Sequence, residues 1–190
     1  MAALATSARL LQRGCVWLLD IDGTLVFTDD HYFKVFERLL SPLGYTVDQY
    51  FYRANVLGKV DHDVFSKLMP SGTSEDELRA MSRRKDALFC ELYNEHAAAH
   101  GPPMVAGLRE ALALAQEHNV RCIAVTNAQR GAGEAAIASL RRTIPAASII
   151  EGLVIGCECE HAKPAPDPYL EGMRQLGVRP EDCIVFEDSR

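Results

Sequence analysis

An α/β fold, a parallel sheet covered by helices with a small helical insertion after its first strand, is predicted by three features of this sequence. Four short runs, 15–19, 122–125, 149–155 and 183–186, are apolar on both faces, and strands without polar alternation belong to sheets buried on both sides. Each of the last three follows a segment with helical periodicity, and strand alternating with helix means a parallel sheet. Between about Thr28 and Pro103 no such run occurs and helical periodicity dominates. The predicted division is an α/β core over 15–27 and 104–190 and a helical unit over 28–103.

Cys15-Val16-Trp17-Leu18-Leu19 opens the sheet and ends directly at Asp20. The insertion reads as helix over Tyr32 to Leu40 and over Glu75 to Tyr93, the second started by Ser74 and Glu77 at capping-box spacing. Gly101-Pro102-Pro103 breaks the pattern where the chain returns to the sheet. Helical periodicity over Leu108 to His118 then leads to the second strand, over Glu134 to Leu140 to the third, and over Tyr169 to Leu176 to the fourth. No internal repeat or low-complexity tract interrupts this order.

The chain has 190 residues, room for one full core and a modest inserted unit. Its 48% apolar and 24% charged residues are the balance of a globular protein rather than a disordered one. With a net charge of −6 and no long basic block, nucleic acid is not an expected partner. Several of the six cysteines (Cys15, Cys122, Cys183) lie in apolar runs and read as reduced core residues. The pair Cys157 and Cys159 lacks the second Cys/His pair that a zinc site needs. No stretch approaches the eighteen or so apolar residues of a membrane span. A cytoplasmic monomer without membrane partners is expected; Arg9 and Arg13 in a first segment without acidic residues leave a plastid or mitochondrial address as the alternative.

The chemistry gathers at strand ends. Asp20-Ile21-Asp22-Gly23-Thr24 places two carboxylates two positions apart at the carboxyl end of the first strand, where open Rossmann-like sheets bind ligands. Gly23 permits a tight turn there. The second strand ends in Thr126 and Asn127, whose hydroxyl and backbone amides suit a phosphate oxygen, although an ordinary turn would look the same. After the third strand comes Lys163-Pro164-Ala165-Pro166. The prolines are expected to hold Lys163 extended on a stiff segment, a fixed ammonium for a phosphate or a carboxylate. The fourth strand ends in Glu187-Asp188-Ser189. Acidic side chains converging at one edge repel without a cation, and hard oxygen ligands point to Mg2+.

Taken together, these four motifs resemble the haloacid dehalogenase superfamily in its phosphatase branch, with the likeness running from about Cys15 to the end. Val125-Thr126-Asn127-Ala128, Cys159-Glu160, Lys163-Pro164 and Val185-Phe186-Glu187-Asp188-Ser189 are particularly similar to the plant broad-range sugar phosphatases and the beta-phosphoglucomutases. The resemblance implies that Asp20 is a nucleophile forming an aspartyl-phosphate, and that Asp22 is the general acid for the leaving oxygen and later the base for water. It further implies that Thr126 and Lys163 hold the phosphoryl group of a small-molecule phosphate ester. Mg2+ would be bound by Asp20, the backbone carbonyl of Asp22, Glu187 and Asp188. Asp22 also separates the branches, since dehalogenases lack this second aspartate and halide displacement needs no leaving-group proton.

The insertion resembles the family's helical cap. Within it Gly58-Lys59, followed by Asp61, His62 and Asp63, is similar to the loop that touches the sugar, with Lys59 the candidate contact. The plain alternative is a helix linker with Asp61 as an N-cap. Phe27 stands where relatives usually carry Asp, and His31 and Tyr32 replace their Pro-x-His pattern, so substrate identity is less defined than reaction type. The chain stops at Arg190, two residues past Asp188, and the sheet is expected to lack its final edge strand. A hexose-phosphate mutase, or an inactive binding module, are the alternative readings.

Overall fold

The computed structural model describes residues 10–12 and 14–189. Arg9 and Arg13, on which the alternative address rests, and the terminal Arg190 lie outside those residues. Four strands, β1 (Val16–Leu19), β2 (Arg121–Thr126), β3 (Ile150–Ile155) and β4 (Cys183–Phe186), form one sheet of order β3-β2-β1-β4. Every pairing is parallel. β1 is paired on both sides, and all four of its residues are buried. On one face Val16, Leu18, Ile123, Val125 and Val154 form a core covered by Tyr169, Met173 and Leu176. On the other, Trp17 meets Phe186 with ring centroids 5.0 Å apart.

Register decides where the strands end. Leu19 lies opposite both Ala124 and Phe186. The residues just beyond them, Asp20, Val125-Thr126 and Glu187, therefore arrive together at the sheet's carboxyl edge. One sequence expectation needs correction here. β4 is not a fully buried strand: it forms an edge of the sheet, and Val185 is 43% exposed. Its apolar composition alone cannot distinguish an edge from a centre.

Contact within the chain separates two compact units, one comprising the residues through Thr28 together with His96 onward, the other Asp29–Glu95. The second is helical: α1 (Asp29–Leu40), α2 (Gln49–Asn55), α3 (Asp61–Leu68) and most of α4 (Glu75–His100). Phe36, Tyr52, Val64, Phe65 and Phe89 are among the side chains that fill it. α4 begins with a capping box, the Ser74 N–H donating to Glu77 Oε2 at 2.8 Å and the Glu77 N–H reaching Ser74 Oγ at 3.4 Å. It outruns the predicted segment because Ala97-Ala98-Ala99 are strong helix formers, and it stops at Gly101 with φ +82°. In the core unit, α5 (Leu108–Glu117), α6 (Arg130–Thr143) and α7 (Asp167–Leu176) connect the strands.

Asp61 is the first residue of α3, which rules out the plain alternative of a capped linker. It is not an N-cap: Val60 precedes α3, and the Asp61 carboxylate instead takes two bonds from Lys85 Nζ, at 2.8 and 2.6 Å. Lys85 is only 7% exposed and also pairs with Asp86 at 3.0 Å. Burial disfavours the ammonium, but the two carboxylates outweigh it and hold its pKa above the ordinary lysine value. Removing one member of a buried ion pair strands the other's charge. Because Lys85 keeps Asp86, Asp61→Ala is expected to cost about 1.5 kcal/mol, the scale of a lost hydrogen bond between charged groups, read by urea unfolding; a change within about 0.5 kcal/mol would show a pair behaving like one on the surface.

Candidate active site

Asp20 follows β1 immediately, its N–H donating to the Phe186 carbonyl at 3.0 Å. Its side chain is buried, and Lys163 Nζ donates to Asp20 Oδ1, to Glu187 Oε2 at 2.7 Å and to the Val125 carbonyl at 3.1 Å. Burial pushes the Asp20 carboxyl up to about 7 against the lowering effect of Lys163, with Glu187 and Asp22 adding to the rise. One ammonium does not compensate this much negative charge at low solvent exposure.

Lys163 is carried by a proline-containing segment that closes on itself. Residues 162–165 close as a turn, the Ala165 N–H donating to the Ala162 carbonyl at 3.0 Å, around a cis Lys163–Pro164 bond. Proline's bias against helix in the preceding residue is met equally by a turn.

The Asp22 carboxylate accepts from the Thr28 hydroxyl at Oδ1 and, at 3.4 Å, from the Thr126 hydroxyl at Oδ2. Thr126 is fully buried, and its oxygen accepts the Ala128 N–H at 3.0 Å. Gly23 is required twice over. Its φ of +81° is left-handed, and a Cβ there would stand 2.2 Å from Asp188 Oδ2. The same small turn is closed by the Gly23 N–H on the Val26 carbonyl at 2.8 Å.

Glu187 accepts from Lys163, from the Tyr169 hydroxyl at 2.5 Å and from Ser189 Oγ at 2.6 Å. Burial raises its pKa, and these bonds more than offset the rise, leaving the group below the usual glutamate value. Oxygens of Asp20, Glu187 and Asp188 lie within 4.8 Å of one another. An all-oxygen, net-negative set of that span suits a small hard cation such as Mg2+, which keeps waters in its remaining positions. Asn127 turns its side chain to the main chain of Lys163, donating to its carbonyl at 2.9 Å and accepting its N–H at 3.0 Å. Gly58 (φ +72°) and Lys59 lie in the helical unit, where Lys59 Nζ donates to the Ala54 carbonyl.

Three participants have no role assigned from the sequence. Thr28 sits six positions from the carboxylate it holds, Tyr169 in the first turn of α7, and Ser189 beside the acidic pair. Only Ser189, adjacent to named residues, carried a usable signal.

A parallel α/β sheet with a buried aspartate, a lysine upon it and further carboxylates at one strand edge has the arrangement of an enzyme site. Residues 16–190 match the haloacid dehalogenase-like hydrolase model, and the chain belongs to that family. It is 29% identical over 180 residues to the phosphorylated carbohydrates phosphatase of Thermotoga maritima, covering 91% of this chain and 76% of that protein. It is 28% identical over 180 residues to Protein CbbY of Rhodobacter capsulatus, with the same coverage. Among solved structures, CbbY from Rhodobacter sphaeroides in complex with phosphate shares the fold with a TM-score of 0.74, at 24% identity, covering 92% of this chain and 77% of that one. No helix among the described residues is long and apolar enough to cross a membrane.

Proposed function

We propose that this protein is a Mg2+-dependent phosphoric monoester hydrolase of small phosphorylated metabolites, sugar phosphates foremost, working through an aspartyl-phosphate on Asp20. The observation that carries the reading is the buried Asp20 carboxylate with Lys163 on one oxygen and Glu187 and Asp188 beside it. The family match and the phosphatase named among its relatives support the enzyme class.

Asp20 attacks phosphorus, so that an Asp20 Oδ–P bond forms as the bond from phosphorus to the sugar oxygen breaks. Asp22 gives its proton to the departing alkoxide, then takes one from the water that attacks the acyl phosphate and regenerates Asp20. Thr28 and Thr126 orient Asp22 for both transfers. Lys163, the Thr126 hydroxyl and the backbone amides that follow β2 hold the phosphoryl oxygens and neutralise charge as it spreads over them. Asp20, the Asp22 carbonyl, Glu187 and Asp188 would hold Mg2+, which when bound offsets phosphate charge and acts as a Lewis acid. The helical unit serves as the cap, with Gly58 and Lys59 contributing to substrate choice.

The test is a metabolite panel assayed with Mg2+ and with EDTA. Phosphate release should fall by about a hundredfold on chelation, the several kcal/mol that a metal supplies to transition-state charge. Metal-independent release would remove the Mg2+ assignment. With glucose 1-phosphate, glucose 6-phosphate appearing faster than free phosphate would overturn hydrolysis in favour of a mutase.

A further inference from the structure

We infer that Asn127 is the positioning residue for Lys163, clamping the turn that carries the ammonium to the end of β2, rather than a group that itself binds substrate. This rests on the phosphatase reading and deepens it. Both polar atoms of the Asn127 amide are engaged by one residue: Nδ2 donates to the Lys163 carbonyl at 2.9 Å and Oδ1 accepts the Lys163 N–H at 3.0 Å. A two-point contact of a planar amide with one residue's N–H and C=O fixes orientation as well as distance, as a rung of a sheet does. The main chain of Lys163 is thereby tied across 36 residues of sequence to the strand next to Asp20.

A second observation supports this independently. Gly156, just past β3, has no Cβ, and one added there would stand 2.1 Å from Asn127 Oδ1 and 3.2 Å from Cγ. The space in which the amide lies is thus left by a glycine on a third strand end. Gly156 is not in the left-handed region, so clearance for Asn127 is what the position requires of it. From this clamp the Lys163 side chain runs inward to Asp20, Glu187 and the Val125 carbonyl. Val125 lies two residues before Asn127 on the same strand end, so both ends of the lysine are referred to one rigid element.

The residue is commonplace at the end of a strand, which is why its sequence position suggested a phosphate contact. With the amide doubly engaged, its route to catalysis is through placement of the lysine. A displacement of about 1 Å in a catalytic group is worth on the order of a hundredfold in rate.

The experiment is a double-mutant cycle on kcat/KM for the best substrate, with Asn127→Ala, Lys163→Ala and the pair, alongside Gly156→Ala and Asn127→Asp. Asn127→Ala is expected to lose about ten- to a hundredfold, and the pair no more than Lys163→Ala alone. Gly156→Ala should reproduce the Asn127→Ala loss, and Asn127→Asp, which keeps the acceptor for the Lys163 N–H, should restore part of it. In parallel, acylation of Lys163 by a lysine-reactive reagent, followed by peptide mass spectrometry, should quicken several-fold in Asn127→Ala relative to the other lysines. Losses that multiply in the pair, or Lys163 labelling unchanged by Asn127→Ala, would overturn the inference and return Asn127 to direct substrate contact. Absence of turnover in the unmodified protein would instead overturn the phosphatase reading, and the labelling result would still decide the role of Asn127.

Discussion

Asp20→Asn is expected to lower turnover of a sugar phosphate by at least about a thousandfold, the scale at which an essential catalytic group is lost. The substitution is isosteric, so the loss reads on the nucleophile and not on packing. Lys163 retains Glu187 at 2.7 Å and the Val125 carbonyl at 3.1 Å, so no buried ammonium is stranded. Stability should move the other way in metal-free protein. The Asp20 carboxyl, at 3.8 when free, is raised to about 7 by burial. Between those values the folded state binds more protons than the unfolded one, so stability contributed by this group falls as pH rises through that window. Asparagine titrates nowhere in it. In EDTA the Asn variant should therefore lose less stability than the unmodified protein between about pH 4 and pH 7, by denaturant midpoints. A larger loss in the variant would show that the buried charge is stabilising.

Asp22→Asn carries the second large effect, and its size should depend on the substrate. Proton transfer to a leaving group is worth about a hundred- to ten-thousandfold. It matters most when that group is a sugar alkoxide, and little when it is p-nitrophenolate. Thr28 and Thr126 hold different oxygens of the Asp22 carboxylate, so in asparagine one threonine can still donate to the amide oxygen while the other's hydroxyl accepts from the amide N–H, which keeps placement while removing the proton. In a single turnover, release from the sugar phosphate should slow far more than release of p-nitrophenol. Steady-state rates would blur the difference, because the same residue activates water in the second step. Equal losses on both substrates would point to a damaged turn around Gly23, where Asp188 packs 2.2 Å from the position of a Cβ.

What sequence could show was set by locality. Asp20, Asp22, Thr126, Lys163, Glu187 and Asp188 were visible because each follows an apolar run, and a parallel sheet delivers its strand ends to one edge; the register of Leu19 with Ala124 and Phe186 is the structural form of that argument. Thr28 and Tyr169 were invisible because their partners are defined by tertiary packing, not by spacing. The alternative of Asp61 as an N-cap fails because cap preference is a local rule, whereas Lys85, 24 residues away, supplies a buried charge that takes the carboxylate first. The turn that carries Lys163 was not legible, since proline excludes helix without choosing between strand and turn. Asn127 was assigned by motif to substrate, but its partners lie on another loop.

Covalent catalysis by Asp20 is tested most directly by trapping the intermediate. Enzyme turning over a sugar phosphate with Mg2+ would be quenched in acid, reduced with borohydride and digested for peptide mass spectrometry. An acyl phosphate is reduced to the alcohol, so the peptide spanning β1 should carry homoserine in place of Asp20, and the same peptide from enzyme quenched without substrate should not. Turnover with no reduction at Asp20, or with reduction at Glu187 or Asp188 instead, would contradict the assignment of the nucleophile.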